Sequence, residues 1–426
     1  MRRVNRFAAI LVLVAACQSD PVTGRAYFSP VGNDYASQDA QIRKYFLTEQ
    51  MLVRDGGRLP EPEMEAACRE IFDRVVAALP ADHRRDFRFH FHLTTAPTVN
   101  AYTYGGGRIH CHLGLVAQID DAAEFAGVMA HEIGHNSHDH IGQSLGRQSI
   151  ASPFIGLGSL AGKPGRQLAE SLTGITLVQF TRKQERQADD RAVDYTSSAG
   201  IDPDGVARFF AGLERDYGED IRRQPQFMQS HPYPENRVHQ IRARIERIQR
   251  GDPPDTLRST PAFDAAIRRA REIRPFYVAL HEALRGVELA PLLAAADAGA
   301  AALPRHPQFH FWKGIALEAN GERAPALEEL RRADALDRDN LLTPLLLCHL
   351  ELAEGNHPEA ELAAEKVIAI VPAVPSAYLV RGAARVRQGE IEAGHRDFDR
   401  AIALTPSPQR DRAYEAIRKY APDYGR

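Results

Sequence analysis

The sequence predicts an α+β domain, mostly helical with a small sheet, followed by an all-α solenoid. Three features predict this. Short alternating runs between residues 87 and 112 read as strands. The stretch from Asp121 onward reads as a capped helix that carries His131-Glu132-Ile133-Gly134-His135. From about Pro304 the chain repeats itself with a 34-residue period. A chain of 426 residues has length for two or three domains with real cores. Its net charge of −3 creates no field that draws nucleic acid, and no nucleic-acid partner is expected.

Residues 1–17 read as an export leader. Met1 to Arg6 is basic, and Phe7 to Ala16 is apolar but too short to span a bilayer. Val14-Ala15-Ala16-Cys17 resembles a bacterial lipobox, which predicts cleavage before Cys17 and lipid on its thiol. An ordinary signal peptide with an incidental cysteine is the plain alternative. Gln18, rather than Asp, at the next position suggests sorting to the outer membrane, so the expected location is the periplasm, on a lipid anchor. Cys68, Cys111 and Cys348 remain, with no C-x-x-C pair, so a cysteine zinc site is not expected. The first domain is read as residues 18–260 and the repeat domain as residues 261–426.

After a lead-in to about residue 60, Glu63 to Leu79 has helical spacing. Phe87 to Leu93 alternates as a half-buried strand. Val99–Thr103 and Arg108–His112 flank Gly105-Gly106-Gly107, a hairpin turn. Asp121 is placed to cap the next helix, with Glu124 closing a capping box. The apolar run Phe125 to Ala130 leads into the His-Glu pattern and puts it on a buried helix. A Gly/Ser-rich stretch from about 142 to 166 reads as a loop. A helix from about 167 ends at Gly200, and Asp202-Pro203 opens another.

His131 and His135 are spaced i, i+4, so both imidazoles lie on one helix face and can reach one metal ion. Glu132 follows the first of them, where its carboxylate can act on water at that ion. Three fixed letters in five occur by chance in roughly a few per cent of such chains; the buried helical setting lowers that risk. Two histidines do not hold a catalytic zinc alone. His138 and Ile141 stand where the long metzincin form needs Gly and His, which excludes that form. Glu170 and Glu185 are the candidates for a third ligand. Glu185 is preferred because Asp189 lies i+4 from it: one carboxylate can bind metal while the other accepts the free ring N–H of a ligand histidine. A solvated charged face is the plain alternative. His110, His112, His138 and His140 are not expected to be ligands; the first two alternate along a strand and the last two merely follow the helix.

The repeats are in phase at several positions. Gly314, Cys348 and Gly382 share a small-residue position, as do Ala326, Ala360 and Gly394. Gly321, Gly355 and Gly389 share the turn between paired helices. Ala333, Val367 and Ala401 follow, and Pro372 and Pro406 close their repeats. This is the tetratricopeptide pattern, in which small residues let two helices approach closely. Residues from about 273 to 304 form a degenerate leading repeat.

Taken together, these motifs resemble those of the HtpX and CAAX-prenyl-protease-like zinc metallopeptidases, a zincin-like fold. The match is to the soluble periplasmic branch with a C-terminal tetratricopeptide array, the BepA type. Asp20-Pro21-Val22-Thr23-Gly24, Asn100-Ala101 before a glycine turn, the His-Glu pattern at 131–135, Glu185-x-x-Ala188-Asp189, and Ser230-His231-Pro232 followed by Arg237 carry it. The Tyr104-Gly-Gly-Gly-Arg108 turn departs from the family's Pro-Gly-Gly type. The resemblance implies gluzincin-like endopeptidase activity with a single Zn²⁺ per chain on His131, His135 and Glu185. Residue spacing alone gives only a zinc hydrolase.

On that reading Glu132 is the general base and acid. His231 either donates a hydrogen bond to the tetrahedral oxyanion or occupies the open zinc position in a latent state; a surface His before a Pro turn is the plain reading. Arg237 fixes a local carboxylate or the substrate backbone. The strand near 98–103 can pair with an extended peptide, which favours unfolded polypeptide substrates. The repeats offer a groove for clients or for envelope and outer-membrane assembly partners. The rival function is a chaperone or assembly scaffold for outer-membrane proteins with minor or latent protease activity. A metal-dependent non-peptide hydrolase is a third class.

Overall fold

The computed structural model describes residues 17–19, 26–28, 55–84, 88–144, 180–218, 226–231, 236–249, 255–286, 288–405 and 410–424. Most of the expected leader, Glu170 and most of the Gly/Ser-rich stretch lie outside these residues. Cys17 is described as backbone only: strand β1 (Cys17–Ser19) pairs antiparallel with β2 (Ala26–Phe28). The chain divides into two compact units, residues 1–277 and 278–426. The division falls inside one helix, not at its start, and the physical reason appears below.

In the first unit, helix α1 (Pro62–Ala77) starts with Pro in its first turn and buries Met64, Cys68, Ile71, Phe72 and Val75 along one face. The short helix α2 (Ala81–Arg84) follows. Three strands make a sheet in the order β3-β5-β4: β3 (His90–Thr94) runs parallel to β5 (Arg108–His112), and β4 (Ala101–Thr103) runs antiparallel to it. All three glycines of the β4–β5 turn have positive φ, between 65° and 92°, which a β-carbon would oppose. β4 is an edge strand. On β3, Phe91 packs against Phe72 at 5.4 Å and against Phe125 at 5.9 Å between ring centroids. On the alternate positions, Tyr102 donates to Asp55 at 2.6 Å, and His110 Nδ1 and His112 Nε2 lie 3.3 and 3.5 Å from the same carboxylate oxygen. His110 and His112 are thus engaged with a buried aspartate.

After helix α3 (Leu113–Gln118), helix α4 (Ala122–Ser137) carries the His-Glu pattern, and each of its residues is buried. Asp121 caps it by accepting from Glu124 N at 3.0 Å. The Glu124 carboxylate reaches back one residue further than a capping box requires, to Asp120 N at 3.1 Å. A helix buried all round must have close neighbours, and its glycines allow them. A β-carbon at Gly134 would lie 3.1 Å from Ala188 Cα on α5 (Arg182–Ser198), and one at Gly127 would lie 2.9 Å from Val206 Cα on α6 (Asp204–Tyr217). Helix α5 opens on a capping box between Thr181 and Gln184 and ends at Gly200, φ +64°. Helices α7 (Gln226–Ser230) and α8 (Arg237–Ile248) follow.

Helix α9 (Pro261–Gly286) contains the division between the units. Its first half belongs to the first unit by packing: Phe263 lies 5.1 Å from Phe125, Arg271 donates to Ala117 O and Ile119 O, and Arg274 donates to Pro97 O. A boundary at 260/261 would detach these contacts from the core they complete.

The second unit is an array of helix pairs. After α10 (Leu289–Ala302) come α11 (Pro307–Ala319) with α12 (Arg323–Leu336), α13 (Leu342–Glu354) with α14 (His357–Ile370), and α15 (Pro375–Arg387) with α16 (Ile391–Leu404); α17 (Arg410–Arg418) follows. Gly321, Gly355 and Gly389 sit between the paired helices at φ +83°, +82° and +89°. A β-carbon at Gly314 would meet Leu330 at 2.6 Å, and one at Gly382 would meet Phe398 at 2.7 Å, so the small positions set the helix separation. The tetratricopeptide array expected from the 34-residue period is present.

Gly205 tests the packing around α4. A β-carbon there would overlap the backbone of Ala123, which no rotamer change relieves. Gly205→Ala is expected to destabilise the first unit by about 1–3 kcal/mol. Gly212→Ala, at a nearly open helical position, is expected to stabilise it by up to about 1 kcal/mol. Thermal unfolding of the two variants checks this; equal melting temperatures would contradict it.

Candidate metal centre

Four side chains converge in the first unit. One donor atom each from His131, His135, Glu185 and His231 lies within 4.8 Å of all the others. His131 Nε2 and His135 Nε2 are 3.1 Å apart, one turn apart on α4. Glu185, from the first turn of α5, lies 3.6 Å from His131 Nε2 and 3.4 Å from His135 Nε2. His231 follows α7, and its Nδ1 is 3.0 Å from Glu185 Oε1 and 3.2 Å from His131 Nε2. All four are essentially excluded from solvent.

Behind these donors stands a charged chain. Asp189, one turn after Glu185, places Oδ1 3.0 Å from His131 Nδ1. Arg237, the first residue of α8, grips Asp189 with Nε at 2.9 Å and Nη2 at 2.8 Å, and its Nη2 is 3.0 Å from Glu185 Oε2. Its guanidinium lies 3.8 Å over the ring of Phe210. Burial pushes both carboxyls up, but the charge of Arg237 acts on both, joined by His231 at Glu185 and by His131 at Asp189. These interactions hold Glu185 and Asp189 below the usual carboxylate range. Burial lowers His131, and it lowers His135 to about 3, which favours the neutral ring. His231 is the exception: burial lowers it, but Glu185 and Glu132 outweigh burial and raise it.

The donor set fits a divalent cation. Asp189 can only accept, so a neutral His131 carries its proton on Nδ1 and its lone pair on Nε2. Two buried carboxylates face one permanent cation, Arg237, which leaves the cluster short of positive charge. Glu132 adds to this: neither of its oxygens makes a hydrogen bond among the described residues, and His231 Nε2 is 3.5 Å away. Burial pushes its carboxyl up to about 7. Neutral imidazoles and carboxylates also suit zinc, manganese or iron; nitrogen-rich tetrahedral sites favour zinc.

The structure thus brings together His131, Glu132, His135, Glu185, Asp189, His231 and Arg237. It adds three residues that the spacing did not reveal. Phe180 lies over His135, with ring centroids 3.9 Å apart. Asn136 ties α4 to the edge strand, donating to Thr103 Oγ1 at 2.7 Å and accepting from Gly107 N at 3.1 Å. His140 places Nδ1 3.0 Å from His135 Nδ1. Helical spacing could not signal His140, because α4 ends at Ser137 and Asp139 turns the chain at φ 50°.

A helix-borne histidine pair with a carboxylate from a second helix is the arrangement of metallopeptidases. Residues 62–245 match the family model of Peptidase family M48. It is similar to the putative beta-barrel assembly-enhancing protease of Vibrio cholerae, 29% identical over 197 residues, 43% of this chain and 39% of that protein. Against the beta-barrel assembly-enhancing protease of Escherichia coli K12 the figures are 28% over 193 residues, 42% and 38%. Against the metalloprotease LoiP of the same strain they are 30% over 156 residues, 35% and 60%. The alignments thus span about two fifths of the length of the first two relatives.

Removing the buried cation should expose the charge problem. Arg237→Leu is expected to cost about 3–5 kcal/mol, because two buried carboxylates lose their partner. Arg244→Leu, which breaks a part-exposed pair with Asp194, should cost no more than about 1 kcal/mol. The pH sign follows from Asp189. Its folded carboxyl titrates below its unfolded value near 3.8, so its stabilisation is present above that pH and lost as pH falls through the folded value. Urea unfolding at neutral pH and below about pH 4 measures both effects, and equal losses for the two arginine variants would contradict the account.

Proposed function

We propose that the chain is a zinc metalloendopeptidase of the bacterial periplasm that cleaves unfolded or misassembled envelope proteins, with its repeats holding clients or partners. One observation carries this: four buried donors lie within 4.8 Å of one another beside the buried carboxylate of Glu132. His131, His135 and Glu185 would hold the zinc. Zinc, when bound, supplies Lewis acidity toward water and toward the scissile carbonyl.

The remaining chemistry falls to this chain's side chains. Glu132, with its carboxyl pushed to about 7 by burial, is suited to take a proton from the attacking water and pass it to the leaving amine as the C–N bond breaks. Asp189 and Arg237 hold the His131 tautomer. Among the described residues β4 has no strand partner on the side away from β5, and an extended peptide can join it there as a further strand, which selects unfolded segments over folded domains. His231 donates to the developing oxyanion when it swings out of the donor cluster and closes the site when it stays there. The lipid anchor on Cys17 and the outer-membrane location belong to this reading, as do envelope assembly partners on the repeats. The names of the assembly-enhancing relatives support it.

One observation favours a second reading, an assembly scaffold or chaperone whose protease activity is minor or latent. With His231 inside the cluster, four protein donors are present, the number found in closed structural sites.

Cleavage of casein or a denatured protein tests the first reading. Glu132→Gln is expected to lose about 10²–10⁴-fold in rate while keeping its metal. Wild type is expected to carry a single zinc per chain, and Glu185→Ala to lose it. Equal zinc in wild type and Glu185→Ala would mean that another group is the third ligand. A Glu132→Gln protein that still rescues a deletion strain would favour the scaffold.

A further inference from the structure

We propose that His140 is the positioning residue of the second motif histidine: its Nδ1 accepts the Nδ1–H of His135 and so keeps His135 Nε2 a lone pair aimed into the donor cluster. The inference rests on the metal-site reading above.

The geometry allows few assignments. The two Nδ1 atoms are 3.0 Å apart, so one of them donates and the other accepts. His135 Nε2 faces His131 Nε2 at 3.1 Å and Glu185 Oε1 at 3.4 Å. A nitrogen that binds metal there must be unprotonated, so the proton of a neutral His135 sits on Nδ1. His140 then accepts at Nδ1 and carries its own proton on Nε2. The opposite assignment puts a proton on His135 Nε2 and removes it as a ligand. A His140 that accepts at Nδ1 therefore holds the His135 tautomer that a metal ligand needs.

The chain holds His140 in place from several sides. Asp139 caps the turn by accepting from Gly142 N at 3.3 Å. The His140 carbonyl accepts from Gln184 Nε2 at 3.4 Å, and Gln184 is the third residue of the helix that carries Glu185, in the capping box with Thr181. The backbone at His140 is thus tied to both metal-bearing helices. The His138 ring stacks on His140 with centroids 5.0 Å apart and planes within 7°. His140 itself is fully buried. The two motif histidines are consequently oriented by different chemistry: a carboxylate stands behind His131 and a neutral imidazole behind His135. A carboxylate acceptor makes its histidine the more basic ligand; an imidazole acceptor fixes direction while adding no charge.

Zinc affinity, measured by competition with a chromophoric chelator, tests this without reference to catalysis. His140→Phe keeps a ring but removes the acceptor, and it is expected to weaken zinc binding about 10–100-fold. His140→Asn offers an oxygen near the lost Nδ1 and should recover most of that loss. Rescue by Asn but not by Phe is the signature that a purely space-filling role would not give. Wild-type affinity in His140→Phe, or an Asn variant no better than Phe, overturns the proposal. Nitrogen-15 spectra of the histidine rings in zinc-loaded wild type provide a reading that needs no variant: His135 protonated at Nδ1 and His140 bare at Nδ1 support it, and the reverse overturns it. If wild type binds no zinc, the metal site itself fails, and this inference fails with it.

Discussion

The fork of Arg237 on Asp189, with Glu185 against the same guanidinium, is the interaction on which the first unit depends. Two carboxylates in a site closed to water are costly unless a permanent cation faces them, and arginine is the side chain that cannot escape the cost by losing its proton. Its position is fixed by a ring, Phe210, beneath the guanidinium plane. Through that fork, helix α8 is bound to α5, and through Asp189 and His131, α5 is bound to α4. The close contact between Gly134 and Ala188 makes this geometry possible: a larger residue at either position would move Glu185 away from the two histidines. Fold and site therefore share one set of contacts.

Much of this was legible in the sequence, for local reasons. His131 and His135 share a helix face by spacing alone, as do Glu185 and Asp189, and the structure gives each pair a common direction. The strand Arg108–His112 and the helix ends at Asp121 and Gly200 were readable from alternation and from capping chemistry. The repeats were readable because the same small residues recur at positions where two backbones must approach. What was not legible is long-range or non-periodic. No pattern announces that His140 returns to His135 through a left-handed Asp139, or that Phe180 covers His135. The role of Arg237 came from a family resemblance; nothing in its neighbourhood in sequence points to a carboxylate 48 residues away.

The division of the chain shows the same limit. Read from sequence, the boundary falls between residues 260 and 261. Yet Phe263, Arg271 and Arg274 complete the first unit's core and cap its carbonyls, so the first half of α9 is committed to it. Pro275 lies inside that helix, close to where the commitment ends. A proline removes one backbone hydrogen bond and weakens the helix locally. The helix thus has a soft point near the place where its allegiance changes.

On the proposed function, the same short segment governs both metal and substrate. Phe227 N donates to Val99 O at 3.3 Å, just before the edge strand that an extended peptide would join. The Phe227 ring is stacked on His231 at 4.6 Å, and His231 stands among the metal donors. Phe227, whose backbone makes the bond at Val99, and His231, whose ring makes the contact at Glu185, lie four residues apart with their rings stacked. The Phe227–His231 pair thus joins the donor cluster to the backbone that leads into the edge strand.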